Sequence, residues 1–309
     1  MNPARLPPPV RAGARVGVAA LSGPVPRPRL ERGLAELARL GFEPVPARNL
    51  AARDDLFAGS DALRLEALHE LADDDRLEAI FFARGGHGLL RLLPELDWPR
   101  LGRKPRAWIG YSDLTPFLLG VVERLELVAF HGPMVAADLA RGLEPEERVS
   151  LLAALAGELP AVLAADGAHG VAAGPTEPVE GVLLGGCLSL LCATLGTPWS
   201  AHLDGALLAV EDTGEPSYRI DRMLTHLGLS GSLTGVRGAA LGRLRGSDET
   251  EATASSAVAR TARVLPGVPV VDGFGFGHEA PNRTLPLGAQ ARLDPVSRTL
   301  AVGLGARAR

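Results

Sequence analysis

The stretch AWIGYSDL, residues 107–114, decides the fold. An apolar run that ends in Gly-aromatic-Ser and continues into a helical pattern predicts a strand, a tight turn and a helix in succession. Such a turn exposes a serine hydroxyl and points backbone N–H groups at a substrate oxygen. Ser112 is therefore a candidate nucleophile at the carboxyl end of a strand, although Leu114 stands where the usual nucleophile elbow has a glycine.

The same alternation of apolar runs and helical spacing surrounds this stretch in the first 140 residues. Strands are predicted at Arg15–Leu21, Phe42–Val45, Ala79–Ala83 and Ala107–Gly110, and helices at Pro28–Leu40, Asp61–Asp73, Leu89–Leu93 and Leu114–Arg124. Such β-α alternation predicts a parallel sheet with helices on both faces. Ligands gather at the carboxyl ends of the strands in that architecture, which is where residues 84–88 and 110–113 are expected.

The chain is predicted to be an α/β protein with two domains. Residues 1–140 form the N-terminal domain that carries the nucleophile, 141–178 form a linker of Pro and Gly turns around an Ala-rich helix, and 179–309 form a mixed α and β domain that ends in a hairpin. The uncharged stretch from Gly181 to Ala201 is interrupted by glycines and a proline. We interpret it as a buried helix and not as a membrane span.

Composition excludes several classes of function. The 309 residues are 46% hydrophobic with a formal net charge of −4 and no polybasic run, so we expect a folded protein that does not bind nucleic acid. The N-terminus has no apolar signal region, which predicts a cytoplasmic protein. Cys187 and Cys192 match no zinc or redox spacing, and His278-Glu279 is not part of an H-E-x-x-H motif. We therefore expect neither metal nor cofactor.

A nucleophilic serine needs a base, and the base needs a third group that fixes its tautomer. Glu211 ends the apolar run 206–210, and His278 ends the Gly-rich turn 273–278. Taken singly, Ser112 is equally explained as a helix N-cap, Glu211 as a surface charge and His278 as a turn residue. Taken together on strand-end or Gly-rich backbone, the three predict a serine hydrolase.

The segment Arg84-Gly85-Gly86-His87-Gly88 offers free backbone N–H groups that suit an oxyanion hole. The alternative interpretation is an ordinary turn between a strand and a helix. Its Gly-Gly-x-Gly spacing differs from the G-x-G-x-x-G fingerprint, so a dinucleotide site is not predicted.

Several blocks of the sequence together resemble the LD-carboxypeptidases, the serine peptidases that include murein tetrapeptide carboxypeptidase and the microcin C immunity hydrolases. The blocks recur in family order from about residue 14 to residue 302 and therefore cover nearly the whole chain. They are ARGGHG at 83–88, GYSD at 110–113, HGP at 131–133, LLGGCLSLL at 183–191, EDTGEPSYRIDRML at 211–224, GH at 277–278 and LPLG at 285–288.

The resemblance implies a role for each candidate residue. Ser112 would be the nucleophile, Glu211 the orienting carboxylate and His278 the base, with oxyanion N–H groups from Gly86 and Asp113. It also implies a Rossmann-like N-terminal domain, a smaller C-terminal domain, an active site in the cleft between them, and a homodimer.

Two positions depart from the family pattern. His87 stands where the family usually has tyrosine, and Cys187 where it usually has asparagine, so both are expected to line the substrate pocket. The implied reaction is hydrolysis, through an acyl-enzyme, of the amide between a diamino acid and the terminal D-alanine of a murein tetrapeptide. Arg84 or Arg222 would bind the free carboxylate of that peptide.

Two other functions stay open. One is a microcin-C-type amidase that acts on peptidyl or acyl-sulfamoyl adenylates, and the other is a catalytically inactive protein that binds muropeptides.

Overall fold

A computed structural model describes residues 2–159, 161–165, 172–244, 246–248 and 255–303 of the chain. Its helices are α1 (Arg27–Arg39), α2 (Asp61–Asp73), α3 (Leu89–Leu92), α4 (Trp98–Gly102), α5 (Thr115–Leu125), α6 (Pro145–Ala156), α7 (Leu188–Ala193), α8 (Ser217–Leu229) and α9 (Ser255–Val264). Its first seven strands are β1 (Arg15–Ala19), β2 (Glu43–Pro46), β3 (Leu77–Phe82), β4 (Ala107–Gly110), β5 (Ala129–His131), β6 (Ala161–Ala164) and β7 (Ala172–Ala173). The other seven are β8 (Val179–Cys187), β9 (Ala206–Glu211), β10 (Gly238–Leu241), β11 (Val270–Val271), β12 (Leu285–Leu287), β13 (Gln290–Asp294) and β14 (Thr299–Val302).

The first sheet has the strand order β12-β5-β4-β3-β1-β2. Strands β1 to β5 pair in parallel, as the β-α alternation of the sequence predicts. The edge strand β12 comes from the far end of the chain and pairs antiparallel with β5, with Leu285 opposite His131. The predicted parallel sheet is confirmed, with one antiparallel strand that comes from the C-terminal half.

The second sheet has the strand order β6-β14-β13-β8-β9-β10-β11-β7. Its centre, β8 to β11, is parallel, and the flanking strands pair antiparallel. The predicted terminal hairpin is confirmed, because β13 and β14 pair antiparallel with Ala291 opposite Val302. The C-terminal half is therefore mixed α and β, as predicted.

Aromatic side chains fill the space between the first sheet and α5. The Phe117 ring meets the rings of Phe82 and Trp108 edge to face, with centroids 5.2 Å apart in each pair, and all three residues are fully buried. Gly110 follows in β4, where a Cβ atom would lie 2.9 Å from Cδ2 of Phe82. Aromatic packing against the sheet thus requires a glycine two residues before Ser112.

The uncharged stretch from Gly181 to Ala201 is not a single buried helix. Its first seven residues belong to β8, and only Leu188–Ala193 are helical. The prediction was wrong because a glycine of this run allows two neighbouring strands to approach closely. A Cβ atom on Gly185 would lie 1.9 Å from the carbonyl oxygen of Ala209 in β9. Apolar runs that lie buried on both faces of a sheet carry no alternating pattern.

The predicted linker, residues 141–178, carries helix α6 and strands β6 and β7, both of which join the second sheet. Residues 160 and 166–171 of this segment lie outside the described residues. The proposed domain bounds, 1–140 and 179–309, stay a prediction. The order of the strands shows that the chain crosses between the two sheets twice more, because β12 returns to the first sheet and β13 lies in the second.

Candidate active site

Ser112 lies in the turn directly after β4, in a backbone conformation that L-amino acids rarely adopt. Its φ angle is 64°, in the left-handed region, and the Leu114 N–H donates to the Tyr111 carbonyl across the turn. Gly85 packs against this turn so closely that a Cβ atom there would lie 2.9 Å from Cβ and 3.0 Å from Oγ of Ser112. A strained, tightly packed turn of this kind presents the serine hydroxyl at the carboxyl edge of the sheet.

The structure brings Ser112, His278 and Glu211 together in one chain of contacts. His278 Nε2 lies 2.9 Å from Ser112 Oγ, and His278 Nδ1 lies 2.7 Å from Oε2 of Glu211. The backbone N–H of His278 donates to the same Oε2 at 3.2 Å. An imidazole between a hydroxyl and a carboxylate can accept the hydroxyl proton while the carboxylate fixes its tautomer.

The surroundings set the protonation of the imidazole and the carboxylate. Burial acts to lower the pKa of His278, but the hydrogen bond and charge of Glu211 outweigh it and hold the pKa above the ordinary value, with further help from Asp212 and Asp138. Glu211 is fully buried; this raises its pKa, and the hydrogen bonds from His278 offset part of that rise. The pair therefore favours an imidazolium once a proton arrives from Ser112.

The two predicted oxyanion residues both lie near Ser112: Gly86 lines the same cleft, and Asp113 follows Ser112 in the chain. Gly86 has a φ angle of 112°, which permits the turn after β3 to approach the serine, and Asp113 follows Ser112 in a single 3₁₀ turn. A Cβ atom on Gly85 would lie 3.3 Å from the backbone nitrogen of Asp113, so the Gly85-Gly86 turn packs directly against the turn that carries Ser112. The Asp113 side chain points elsewhere and accepts from the Leu89 N–H at 3.0 Å.

Of the two arginines predicted to bind a carboxylate, Arg84 lines the cleft beside Ser112 and Arg222 does not. Arg222 is exposed on α8, with its guanidinium 5.2 Å above the Tyr218 ring. Arg84 is partly buried and donates to the Pro24 carbonyl at 3.0 Å. The position of Arg84 is thus the one that suits the predicted role.

The two departures from the family pattern lie in different surroundings. His87 is exposed and faces Phe57, with ring centroids 5.8 Å apart, and it is not among the described residues that line the cleft. Cys187 ends β8 directly opposite Glu211, and its N–H donates to Thr115 Oγ1 at 3.1 Å. Burial raises the pKa of the Cys187 thiol, so it is a neutral neighbour of the carboxylate.

A buried polar network behind His278 was missed by the sequence analysis. The Asn282 Oδ1 accepts from the N–H of Gly277, the residue before His278, at 3.0 Å, and the Asn282 N–H donates to Oε1 of Glu147 at 2.6 Å. Arg141 lies between Glu147 and Asp138, and Asp138 also accepts from the Met134 N–H at 3.0 Å. The network fixes the loop that carries His278 to the segment around α6.

Two aromatic side chains border the imidazole. The Tyr111 ring lies edge-on to His278 with centroids 4.9 Å apart, and burial followed by the charge of Asp138 raises the pKa of Tyr111. Tyr111 also contacts His131, which is completely buried. Burial, followed by the nearby His278, lowers the pKa of His131 to about 3. His131 is therefore a neutral structural residue and does not compete with His278 as a base in the neutral range.

The cleft at Ser112 has a volume of about 160 Å³. The residues that line it include Ser112, His278, Tyr111, Gly85, Gly86, Arg29, Arg84 and Met134. A hydroxyl, an imidazole and Gly-rich backbone thus line one small space. This arrangement can bind a carbonyl group and attack it.

Two further features are missing from the part of the chain that the structure describes. It contains no helix with the length and apolar character needed to cross a membrane. It also contains no group of three or more His, Cys, Asp or Glu side chains arranged to hold a metal ion.

A Ser-His-Glu chain on a strained turn is the arrangement of a serine hydrolase. Comparison with known proteins narrows the class. Residues 16–132 match the LD-carboxypeptidase N-terminal domain, and residues 180–293 match the LD-carboxypeptidase C-terminal domain.

The relatives share nearly the whole chain. A putative carboxypeptidase of Streptomyces coelicolor is 40% identical in an alignment 312 residues long, gaps included, that covers 98% of this chain and 96% of that protein. The murein tetrapeptide carboxypeptidase of Pseudomonas aeruginosa is 33% identical over 299 residues, covering 91% and 93%. The chain belongs to the LD-carboxypeptidase family.

The fold has solved counterparts in that family. The microcin C7 self-immunity protein MccF, solved in its wild-type apo state, superposes with a TM-score of 0.86 over 98% of this chain and 99% of its own, at 24% identity. At that identity the likeness shows the fold, and it confirms the predicted two-domain architecture.

Proposed function

We propose that the protein is a serine LD-carboxypeptidase that removes the terminal D-alanine from murein tetrapeptides. In this mechanism Ser112 Oγ attacks the carbonyl carbon of the diamino acid, and His278 Nε2 accepts the hydroxyl proton. His278 then returns that proton to the nitrogen of the leaving D-alanine, and an acyl-enzyme remains on Ser112. Water, activated by His278, hydrolyses the ester and regenerates the serine.

The observation that carries this proposal is the hydrogen-bonded chain from Ser112 to Glu211 on a turn with a positive φ angle. The N–H groups of Gly86 and Asp113 are the proposed oxyanion donors, because Gly86 lines the cleft at Ser112 and the Asp113 nitrogen lies beside the Gly85-Gly86 turn. Glu211 is the proposed orienting group, since it accepts both from the ring and from the backbone of His278.

The choice of a murein peptide rests on the murein tetrapeptide carboxypeptidase named among the relatives. The position of Arg84 in the cleft supports a substrate with a free carboxylate. Cys187 borders the site at the position opposite Glu211 and is proposed to shape the substrate pocket.

The second candidate is an amidase of the MccF kind that acts on aminoacyl or peptidyl sulfamoyl nucleotides. The close agreement with the MccF fold favours it. Stacking on a nucleobase would call for an aromatic side chain at the cleft. Tyr111 lines the cleft, but it is buried and its ring packs edge-on against His278. Trp98, Trp108 and Trp199 are not among the described residues of the cleft.

One experiment separates the candidates. The purified protein is incubated in parallel with a murein tetrapeptide and with an aminoacyl sulfamoyl adenosine, and both products are followed by mass spectrometry, with Ser112→Ala as the blank. The proposal expects release of D-alanine from the tetrapeptide alone. Cleavage of the nucleotide alone would establish the amidase. An unreactive protein that also fails to label with a fluorophosphonate would be a binding protein.

We further propose a cytoplasmic homodimer, as the family resemblance implies. Light scattering on the purified protein and fractionation of cells that produce it test the two statements separately.

A further inference from the structure

Two arginine side chains at the cleft have no carboxylate partner. Arg29 lies in the first turn of α1 and Arg84 follows β3, and both line the space in front of Ser112. Neither forms an ion pair with any Asp or Glu of the described residues. The described lining of the cleft also contains no Asp or Glu. The space before the serine is therefore bordered by two positive charges that the protein does not neutralise locally.

A neighbouring arginine shows the contrast. Arg27, two residues before Arg29 on the same helix, pairs with Glu31 at 2.8 Å and is 88% exposed. It is not among the described lining residues of the cleft. The same turn of helix thus carries one arginine that is paired with an acid and one that lies unpaired at the active site.

Arg84 lies close to the proposed oxyanion donor. A Cβ atom on Gly86 would lie 3.6 Å from its Nη2, and one on Gly23 would lie 3.6 Å from its Cζ. Its hydrogen bond to the Pro24 carbonyl uses Nη1 and fixes the plane of the guanidinium. A guanidinium has five N–H donors, so most of them stay free for a ligand.

Arg29 is exposed in the first turn of α1. Helix α1 has no acidic residue in its first turn, and the N-terminus of a helix already carries a partial positive charge. An anion bound at this position is stabilised both by the helix N-terminus and by the Arg29 guanidinium. Two guanidinium groups at one cleft suit a carboxylate, which accepts parallel N–H···O hydrogen bonds.

We propose that Arg29 and Arg84 together bind the free terminal carboxylate of the substrate; this rests on the proposed carboxypeptidase function. In a C-terminal residue the carboxylate carbon lies only about 2.5 Å from the nitrogen of the scissile amide, across one Cα atom. A cation that recognises this carboxylate therefore has to lie within the same small cleft as the nucleophile. Arg29 and Arg84 meet that requirement, and Arg222 does not.

The test compares a tetrapeptide that ends in D-alanine with the same peptide that ends in D-alaninamide. The wild-type protein is expected to prefer the free acid in kcat/KM by about tenfold or more, since hydrogen bonds to a charged group are the strong ones. Arg29→Gln is expected to reduce that preference at least about fivefold, mainly through KM, and Arg29→Lys to restore part of it. Arg27→Gln, the matched control, is expected to keep the preference of the wild type.

A binding measurement separates this inference from the proposed function. Titration calorimetry with the two peptides uses Ser112→Ala, with and without Arg29→Gln, so that no turnover is needed. The wild-type protein could fail to hydrolyse either peptide while Ser112→Ala still binds the free acid selectively and loses that selectivity with Arg29→Gln. That result would support the carboxylate site and refute the peptidase.

Two results would overturn the inference. One is hydrolysis of acid and amide at equal rates by the wild type, which leaves the peptidase intact. The other is a loss of activity in Arg29→Gln that is seen only with an aminoacyl sulfamoyl adenosine, which would show that the arginines bind a nucleotide substrate.

Discussion

The turn that carries Ser112 and the loop that carries His278 are stabilised in different ways. The turn after β4 is fixed by backbone geometry: a positive φ angle, one hydrogen bond across the turn, and glycines at positions 85 and 110 that admit close packing. The loop before β12 is fixed by buried side chains, of which Asn282 and Glu147 are 135 residues apart. The position of the proposed nucleophile thus depends mainly on a short local sequence. The position of the proposed base depends on partners that only the fold brings together.

The largest expected effect tests whether both regions serve one reaction. Ser112→Ala is expected to reduce the release of D-alanine by about 10⁶-fold, and His278→Ala to do so comparably, because each removes a member of a unit that acts as a whole. The double variant should be no worse than either single variant. Single-turnover assays by mass spectrometry measure all three. Losses that add in free energy, or more than about a tenth of wild-type activity in Ser112→Ala, would contradict a shared mechanism.

Glu211→Gln is expected to lower kcat about 10⁴-fold, because the substitution disturbs the tautomer of His278 and the stability of its imidazolium form without removing the nucleophile. The pH profile sharpens this test. A base works only when it is neutral, so kcat/KM falls as the pH drops through the pKa of His278, which lies above about 6.5 while Glu211 accepts its proton. In Glu211→Gln the acidic limb should move to lower pH. An unchanged limb would show that another group titrates.

Asn282→Ala tests the network behind the loop. Loss of the side chain leaves the Gly277 N–H buried without an acceptor and frees the loop next to His278, so kcat should fall about 10- to 100-fold with little change in KM. The control is Ser60→Ala, which removes the N-cap of α2 and costs about 1 kcal/mol away from the cleft. Thermal unfolding and kinetics are measured on both. Equal loss of activity in the two variants would show that Asn282 only stabilises the fold.

The smallest expected effect concerns the strain at Ser112. A left-handed conformation costs an L-residue on the order of 1 kcal/mol, and glycine adopts it freely, at the expense of a more flexible unfolded chain. Ser112→Gly is therefore expected to be more stable than Ser112→Ala by about 0.5–1 kcal/mol, while both are inactive. Urea unfolding of the two variants measures the difference. A glycine variant that is less stable than the alanine variant would show that the turn stores no strain.

The parts of the fold that depend on local pattern could be predicted from the sequence. The bounds predicted for α2 and for β4 coincide with those observed, since Ser60 caps the helix and a glycine ends the strand. The carboxyl ends of neighbouring parallel strands lie together, which is why the turns at 84–88 and 110–113 were expected at one edge and meet there.

The parts that depend on distant partners could not. Strand β8 was interpreted as a helix because a run buried on both faces has no period of its own. Asn282 carries no signal in its own segment, since its partners Glu147 and Asp138 come from the region around α6. Arg29 likewise looks like any exposed arginine of an amphipathic helix until the cleft beside it is known.

Strand β12 has a consequence for how this protein can be recombined. The loop with His278 ends in a strand that completes the first sheet, while the residues before and after it belong to the second. A chimera that takes its last third from a relative would therefore also receive that relative's β12, which is an edge strand of the first sheet. The foreign β12 would have to pair with the β5 of this protein. A working hybrid is therefore expected to need β5 and β12 exchanged as a pair.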